Sequence, residues 1–176
     1  MKRFGINIWL IFFILVFPPI EGACQHTERD PQIRLMEAAR EIMTEAGFCA
    51  LITNDEEGRA RVRIMDPFLP EENFTVWFGT NPKSRKVSQI KIDSRVTLFY
   101  QDSDATGYVM IHGNAELVKG SLQKEKYWKE SWKNFYPNRN EGYLLIKVVP
   151  DWMEIISISR GIEGDSITWQ PPIVKF

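Results

Sequence analysis

From Phe48 onward, turn-forming residues cut the chain into short segments of period two, and that rhythm limits the fold more than any other feature. "FCALITN" runs into the turn "DEEG" (residues 55–58), and "RARVRIMDPF" follows. In that segment Arg59, Arg61 and Arg63 alternate with Ala60, Val62 and Ile64, the mark of a strand with two unlike faces. "LPEEN" turns the chain into "FTVWFGT", and the loop "DSDAT" separates "RVTLFYQ" from "GYVMIHGNAELV". Gly113 interrupts the latter and predicts a bulge or a close approach to the backbone. "YLLIKVVP" and "WMEIISIS" complete the set. Many short strands compatible with antiparallel pairing, and few helices, predict a mostly β fold with flanking helices, a small barrel or sandwich.

Two stretches carry helical spacing instead. "DPQIRLMEAAREIMTEAG" has Asp30 placed to cap, Pro31 at the first helical position and Gly47 ready to end the helix left-handed. Ile33, Met36, Ala39, Ile42, Met43 and Ala46 fall on one side of it and are expected to face the core. "SLQKEKYWKESWKNFY" reads as a second long helix, opened by Ser121, held down by Tyr127, Trp128 and Trp132, and stopped by Pro137. A chain of 176 residues fits one domain, and an apolar share of 44% is that of a globular protein. The formal net charge of −1 supplies no overall basic field for a nucleic acid, so any recognition of an anion must be local.

The beginning of the chain reads differently. Lys2 and Arg3 precede the apolar run Ile6 to Phe17, which ends at Pro18-Pro19 and falls short of the roughly 20 residues of a membrane span. This is the pattern of a secretory signal peptide over residues 1–23. Gly22 and Ala23 directly before Cys24 resemble a bacterial lipoprotein cleavage box, although Glu21 stands where that pattern has an apolar residue. The expectation is an exported protein of the bacterial periplasm or cell envelope, touching the membrane only through a lipid on Cys24. A linker over residues 24–29, a domain over 30–160 and a tail over 161–176 would follow. Cys49 lies among apolar neighbours and reads as a small buried hydrophobe; a Cys24–Cys49 bridge is the alternative if Cys24 carries no lipid. His26 and His112 are far apart and have no acidic or thiol cluster beside them, so no metal site is expected.

The stretch "FGTNPKSRKVSQIKIDSRV" (Phe78 to Val96) concentrates the chemistry. Ser84, Arg85 and Lys86 open an apparent helix of residues 84–91, where the free N–H groups already present the positive end of a dipole. Two cations there oppose that dipole unless an anion compensates, which is the physical argument for a bound phosphate. Thr80 and Asn81 stand between strand and helix, and Asn81-Pro82 by itself is a plain turn. Arg61 and Arg63, about 7 Å apart along one strand face, could close the pocket or form a solvated face.

The order Thr80-Asn81, Ser84-Arg85-Lys86, Gln89-Ile90 and Arg95-Val96, followed by "GYVMIHGNAEL", resembles the flavin segment of the pyridoxamine 5′-phosphate oxidase superfamily. The resemblance extends from Asp30 to about Ser159 and is closest in length to the small members called general stress proteins. It implies a split β-barrel of six or so antiparallel strands that binds FMN. It further implies that Arg61 reaches the flavin phosphate, that Val62, Arg63 and Ile64 lie along the isoalloxazine, and that Thr80 contacts the ring or ribityl side. Ser84, Arg85 and Lys86 would hold the phosphate. A homodimer with flavin at its interface is implied as well, with Tyr108 or its surroundings contributing. Tyr108 stands where the full oxidase has a glutamine, and "GDSITWQPPIVKF" lacks that enzyme's substrate-reading arginine and histidine, so pyridoxamine phosphate is not the expected substrate.

Three functions are consistent with these residues. The first is a flavin-dependent oxidoreductase acting on a small molecule, in which the cofactor carries the redox work and the protein anchors and orients it. The second is a module of the same fold that holds flavin or haem for stress protection without turnover. The third is an oligonucleotide-binding barrel, against which the near-neutral charge and the export signal both count. No Ser-His-Asp or paired-carboxylate pattern is visible; His112 reads as structural, and Trp169 near the C-terminus as packing or as a cover for flavin.

Overall fold

The structure, a computed structural model, describes residues 30–176. The expected signal segment and Cys24 therefore lie outside the described residues. Helix α1 (Pro31–Ala46) begins where the sequence places it: the Asp30 carboxylate accepts from the Gln32 amide, and Gly47 ends the helix at φ 66°. Its buried residues are Ala38, Ala39, Ile42 and Met43, whereas Ile33 is exposed. The helical spacing was right and the stripe is one turn shorter than expected.

Strands β1 (Cys49–Asn54), β2 (Ala60–Met65), β3 (Val76–Thr80), β4 (Arg95–Gln101), β5 (Gly107–Val118), β6 (Leu144–Ser157) and β7 (Ile173–Lys175) form one antiparallel sheet. Its order is β2-β1-β4-β5-β6-β3, with β7 added to β6. An isolated antiparallel bridge between Pro67 and Phe78 draws the two outer strands toward each other, so the sheet curls back on itself. The result is the half-barrel of a split-barrel fold, as expected from sequence. Alternate residues point inward: Leu51, Val96, Leu98, Tyr100, Val109, Ile111, Met153 and Ile155 fill the interior, and α1 closes one end. Cys49 is buried there as a free thiol, and burial pushes its pKa up to about 12.

β6 is a single strand where the sequence suggested two. It runs through Pro150 by means of a bulge against β5: His112 pairs with Trp152, but Gly113 pairs with Pro150, leaving Asp151 as the extra residue. Gly113 is the residue that allows this, since a Cβ there would overlap the Val149 carbonyl oxygen. The last residues, read as a tail, instead contribute β7, and Val174 is buried in the core.

The second long helix is not formed. Its place is taken by α3 (Ser121–Lys126) and a 3₁₀ turn (Glu130–Trp132), and α4 (Arg139–Gly142) follows Pro137. Between these short pieces the aromatic side chains gather into a cluster of their own, with Trp77, Tyr127, Trp132, Tyr143 and Leu145 at its centre. Trp77 stacks on Tyr127 at 4.3 Å between ring centroids, and Phe68 meets Trp132 edge-on at 5.5 Å. Packing these rings on the sheet outweighs the modest helical preference of the segment. The long loop between β2 and β3 is held from α1, where Arg40 donates to the Pro70, Glu71 and Glu72 carbonyls. Arg40 also lies 4.5 Å over the Phe74 ring, the buried residue that takes a left-handed backbone at φ 62°.

Because the bulge depends on a missing side chain, Gly113→Ala is expected to cost about 1–3 kcal/mol by overpacking against Val149. The check is a lowered urea midpoint with an unchanged slope.

Candidate functional site

The turn from β3 into helix α2 (Arg85–Ile92) is built by Asn81, whose side-chain oxygen accepts from the Lys83 amide at 2.8 Å. Ser84 occupies the N-cap in extended conformation but makes no side-chain cap, and the first turn contains no acidic residue. Its hydroxyl instead lies 3.2 Å from the Thr80 hydroxyl, and Lys86 Nζ donates to that same Thr80 oxygen at 3.2 Å. The leading amides of α2 are thus left without a side-chain partner beside Arg85 and Lys86.

Strand β2 supplies the other wall. Arg63 Nη1 donates to Thr53 Oγ1 at 2.7 Å and to the Leu51 carbonyl at 3.1 Å, while Nη2 donates to Gln89 Oε1 at 3.0 Å. Thr53, itself buried, donates to the same Gln89 oxygen at 2.7 Å. These bonds aim the Arg63 guanidinium from β2 across β1 onto α2. Burial, and then the Arg85 charge, hold the Arg63 pKa below its ordinary value. Burial, and then Arg63, do the same to Lys86. Among the described residues no ion pair engages Arg63, Arg85 or Lys86. Three cations converge at a helix start with no carboxylate to balance them.

Arg61 takes a different course. Its guanidinium meets Asp55 of the preceding turn at 2.8 Å and 2.7 Å, next to the Arg59 pair with the same carboxylate. Of the two arginines, Arg63 joins the cluster of Thr80, Ser84, Arg85 and Lys86, and Arg61 belongs to the turn. Sequence reasoning named Gln89 only as part of the flavin-like segment, without a role, and gave Thr53 no place in the site. Gln89 stands four residues after Arg85 and so on the same helix side, which was a usable signal; Thr53 became relevant only through its register with Arg61 and its closeness to Arg63.

Val62 and Ile64 project from the other face of β2 and are 63% and 69% exposed. On that outer face Ile64 pairs with Ala50, Ala50 with Phe99, and Phe99 with Met110, an apolar row across four strands. Tyr108 is on this face too, where its hydroxyl donates to Glu154 at 3.1 Å. Tyr108 pairs with Ile156 whereas Thr80 pairs with Leu144, so they lie toward opposite ends of β6, about 40 Å apart along the strand. Within one chain Tyr108 does not join the cation cluster. His112 stacks on Trp152 at 3.9 Å, its Nδ1 lies 3.1 Å from the Thr97 hydroxyl, and burial lowers its pKa against the pull of Glu154. Trp169 is 81% exposed, at the tip of a loop tied together by Asp165.

Comparison with known proteins bears on this geometry. The family model described as pyridoxamine 5′-phosphate oxidase like matches residues 35–155. The chain resembles the crystal structure of general stress protein 26 from Bacillus anthracis str. Sterne at 22% identity and a TM-score of 0.65, covering 81% of this chain and 99% of that one. A protein related to general stress protein 26 from Clostridium acetobutylicum is similar at 17% identity and a TM-score of 0.68, covering 81% and 95%. A pyridoxamine 5′-phosphate oxidase-related, FMN-binding protein from Nostoc punctiforme PCC 73102 superposes at 14% identity and a TM-score of 0.57, covering 82% and 94%. No curated protein matches the chain.

The crowding of like charge has a measurable sign. A lysine whose folded pKa lies below its unfolded value binds its proton less well in the folded state, so its ammonium destabilises the fold at neutral pH. That cost fades as pH rises through the folded pKa toward the unfolded one. Lys86→Met is therefore expected to raise the melting temperature in phosphate-free buffer at neutral pH, by a margin that shrinks as the solution is made alkaline. Added inorganic phosphate should stabilise the parent protein more than the variant.

Proposed function

Given that the chain belongs to the pyridoxamine 5′-phosphate oxidase-like family, we propose that it binds FMN and serves as a flavin-dependent oxidoreductase on a small molecule. The observation that carries this reading is the meeting of Arg63, Arg85 and Lys86 at the uncapped start of α2 with no carboxylate among them. A phosphomonoester brings a charge of about −1.5 to −2 and three acceptor oxygens, which suits these donors and the free amides together. Arg63 and Arg85 offer planar forks, Lys86 a compact charge, and Ser84 and Thr80 their hydroxyls. Gln89 and Thr53 keep Arg63 in place by hydrogen bonds that do not depend on the ligand. FMN, when bound, supplies the electron-transfer chemistry; the residues of this chain bind and orient it. The FMN-binding Nostoc protein, which shares the fold, is in keeping with this assignment.

A homodimer belongs to the same reading. The apolar outer row running from Ile64 to Met110, and the exposed Val62 beside it, form a surface suited to a second copy, with Tyr108 at its margin. Export, as the first residues suggest, would have the flavin acquired outside the cytoplasm.

The test is direct. Purified full-length protein should be yellow and release FMN on denaturation; colourless protein that takes up no added FMN would overturn the assignment. Replacing Arg63 with alanine should weaken FMN binding by about 1.5–3 kcal/mol, the worth of a hydrogen bond to a charged group, and so about ten- to a hundred-fold. Arg61→Ala should leave it nearly unchanged, because that guanidinium is committed to Asp55. Bleaching of the bound flavin by a reduced nicotinamide separates an enzyme from a carrier.

A further inference from the structure

A guanidinium carries five N–H groups, and the chain itself engages three of those on Arg63. Nη1 donates one hydrogen to the Leu51 carbonyl at 3.1 Å and the other to Thr53 Oγ1 at 2.7 Å. Nη2 donates to Gln89 Oε1 at 3.0 Å. Thr53 Oγ1 and Gln89 Oε1 are themselves 2.7 Å apart. Two acceptors so close together, one on each terminal nitrogen, lie across the outer end of the guanidinium. The neighbouring edge is left over, made of Nε–H and the second Nη2–H. Among the described residues no hydrogen bond engages Nε. These two parallel donors form the fork that suits two oxygens of one phosphate.

The chemistry of the groups fixes the direction of each bond. A guanidinium has no acceptor, so Thr53 receives from Nη1, and its single hydrogen goes to Gln89. Gln89 then meets two donors at one atom, which only its amide oxygen can do. Both partners sit on regular elements and are buried: Thr53 on β1, in register with Arg61, and Gln89 in the body of α2. The orientation of Arg63 is therefore set before any ligand arrives.

Each of the three acceptors is uncharged. An acid can orient an arginine equally well, as Asp55 does for Arg61 on the same strand, but it neutralises the arginine too. A carbonyl, a hydroxyl and an amide hold Arg63 and leave its charge whole beside Arg85 and Lys86. We infer that Gln89 is the positioning residue that sets the selectivity of this site: with Thr53 it turns the free edge of Arg63 to the ligand, and as a neutral acceptor it reserves the charge for a terminal phosphate. The inference deepens the function proposed above and rests on it for the identity of the cofactor.

The test compares FMN with riboflavin, which lacks the phosphate, by fluorescence titration of the full-length protein and its variants. The parent should prefer FMN. Gln89→Glu keeps the shape and adds a charge, so it should lower the ratio of FMN to riboflavin affinity by about ten-fold or more. The same variant should melt higher than the parent in phosphate-free buffer at neutral pH. A carboxylate among cations has a depressed folded pKa, so that gain is lost as pH falls below about 4. Thr53→Val should lower the ratio as well, and Thr53→Ser, which keeps the hydroxyl, should preserve it. A residue that merely supported the fold would weaken both flavins in equal proportion. That result, or a ratio unchanged in Gln89→Glu, overturns the inference. Should the parent bind neither flavin, the cofactor assignment fails, and stabilisation by inorganic phosphate becomes the measurement. A melting temperature that phosphate raises in the parent and much less in Gln89→Glu then supports the role of Gln89. Equal shifts in the two proteins, or none in the parent, overturn it.

Discussion

The pairing of β5 with β6 is the constraint on which everything else is hung. These are the longest strands, and the bulge at Gly113 and Pro150 bends them together. On one side of the bend β6 receives β3, on the other β7. The bend is what lets a single sheet curl until Pro67 and Phe78 meet, and curling is what gives the sheet an inside. Only then do Arg63 on β2 and Thr80 at the end of β3, with the rest of the sheet between them in strand order, come to face the same helix.

The site is accordingly stressed where the scaffold is sound. Apolar packing inside the barrel is continuous from α1 through β1, β4, β5 and β6, and it tolerates an electrostatic conflict at the rim. Arg63 and Lys86 both have their charged forms disfavoured by burial and by cationic neighbours. A chain shaped for stability alone would place an acid at the N-cap of α2, as Asp30 stands at the N-cap of α1. The contrast between the two helix starts within one molecule marks the second as a place prepared for an outside anion.

Much of this was legible in the residues. The caps of α1, the alternation in β2, the bulge at Gly113 and the opening of α2 are local effects, and local effects are written locally. The segment after Ser121 was misread because its aromatic residues fit a helix period equally well; what decides against the helix is the bare surface at Gly79, distant in sequence and open to Trp132. Arg61 and Arg63 could not be told apart by periodicity, since both fall on one face of β2. Asp55, in the turn before them, captures the first and leaves the second for the barrel end. β7 was missed for another reason: three residues after a pair of prolines carry no pattern, and only the open edge of β6 gives them a partner.

The Cys49 thiol, sealed behind α1 and β4 with its pKa near 12, has one consequence for the behaviour of the protein in an oxidising environment. It is almost wholly in the unreactive protonated form, and reagents have no path to it while the barrel is shut. Its rate of alkylation is then a clock for local opening of the barrel: each modified molecule records a moment at which the packing over the thiol parted and the interior met water.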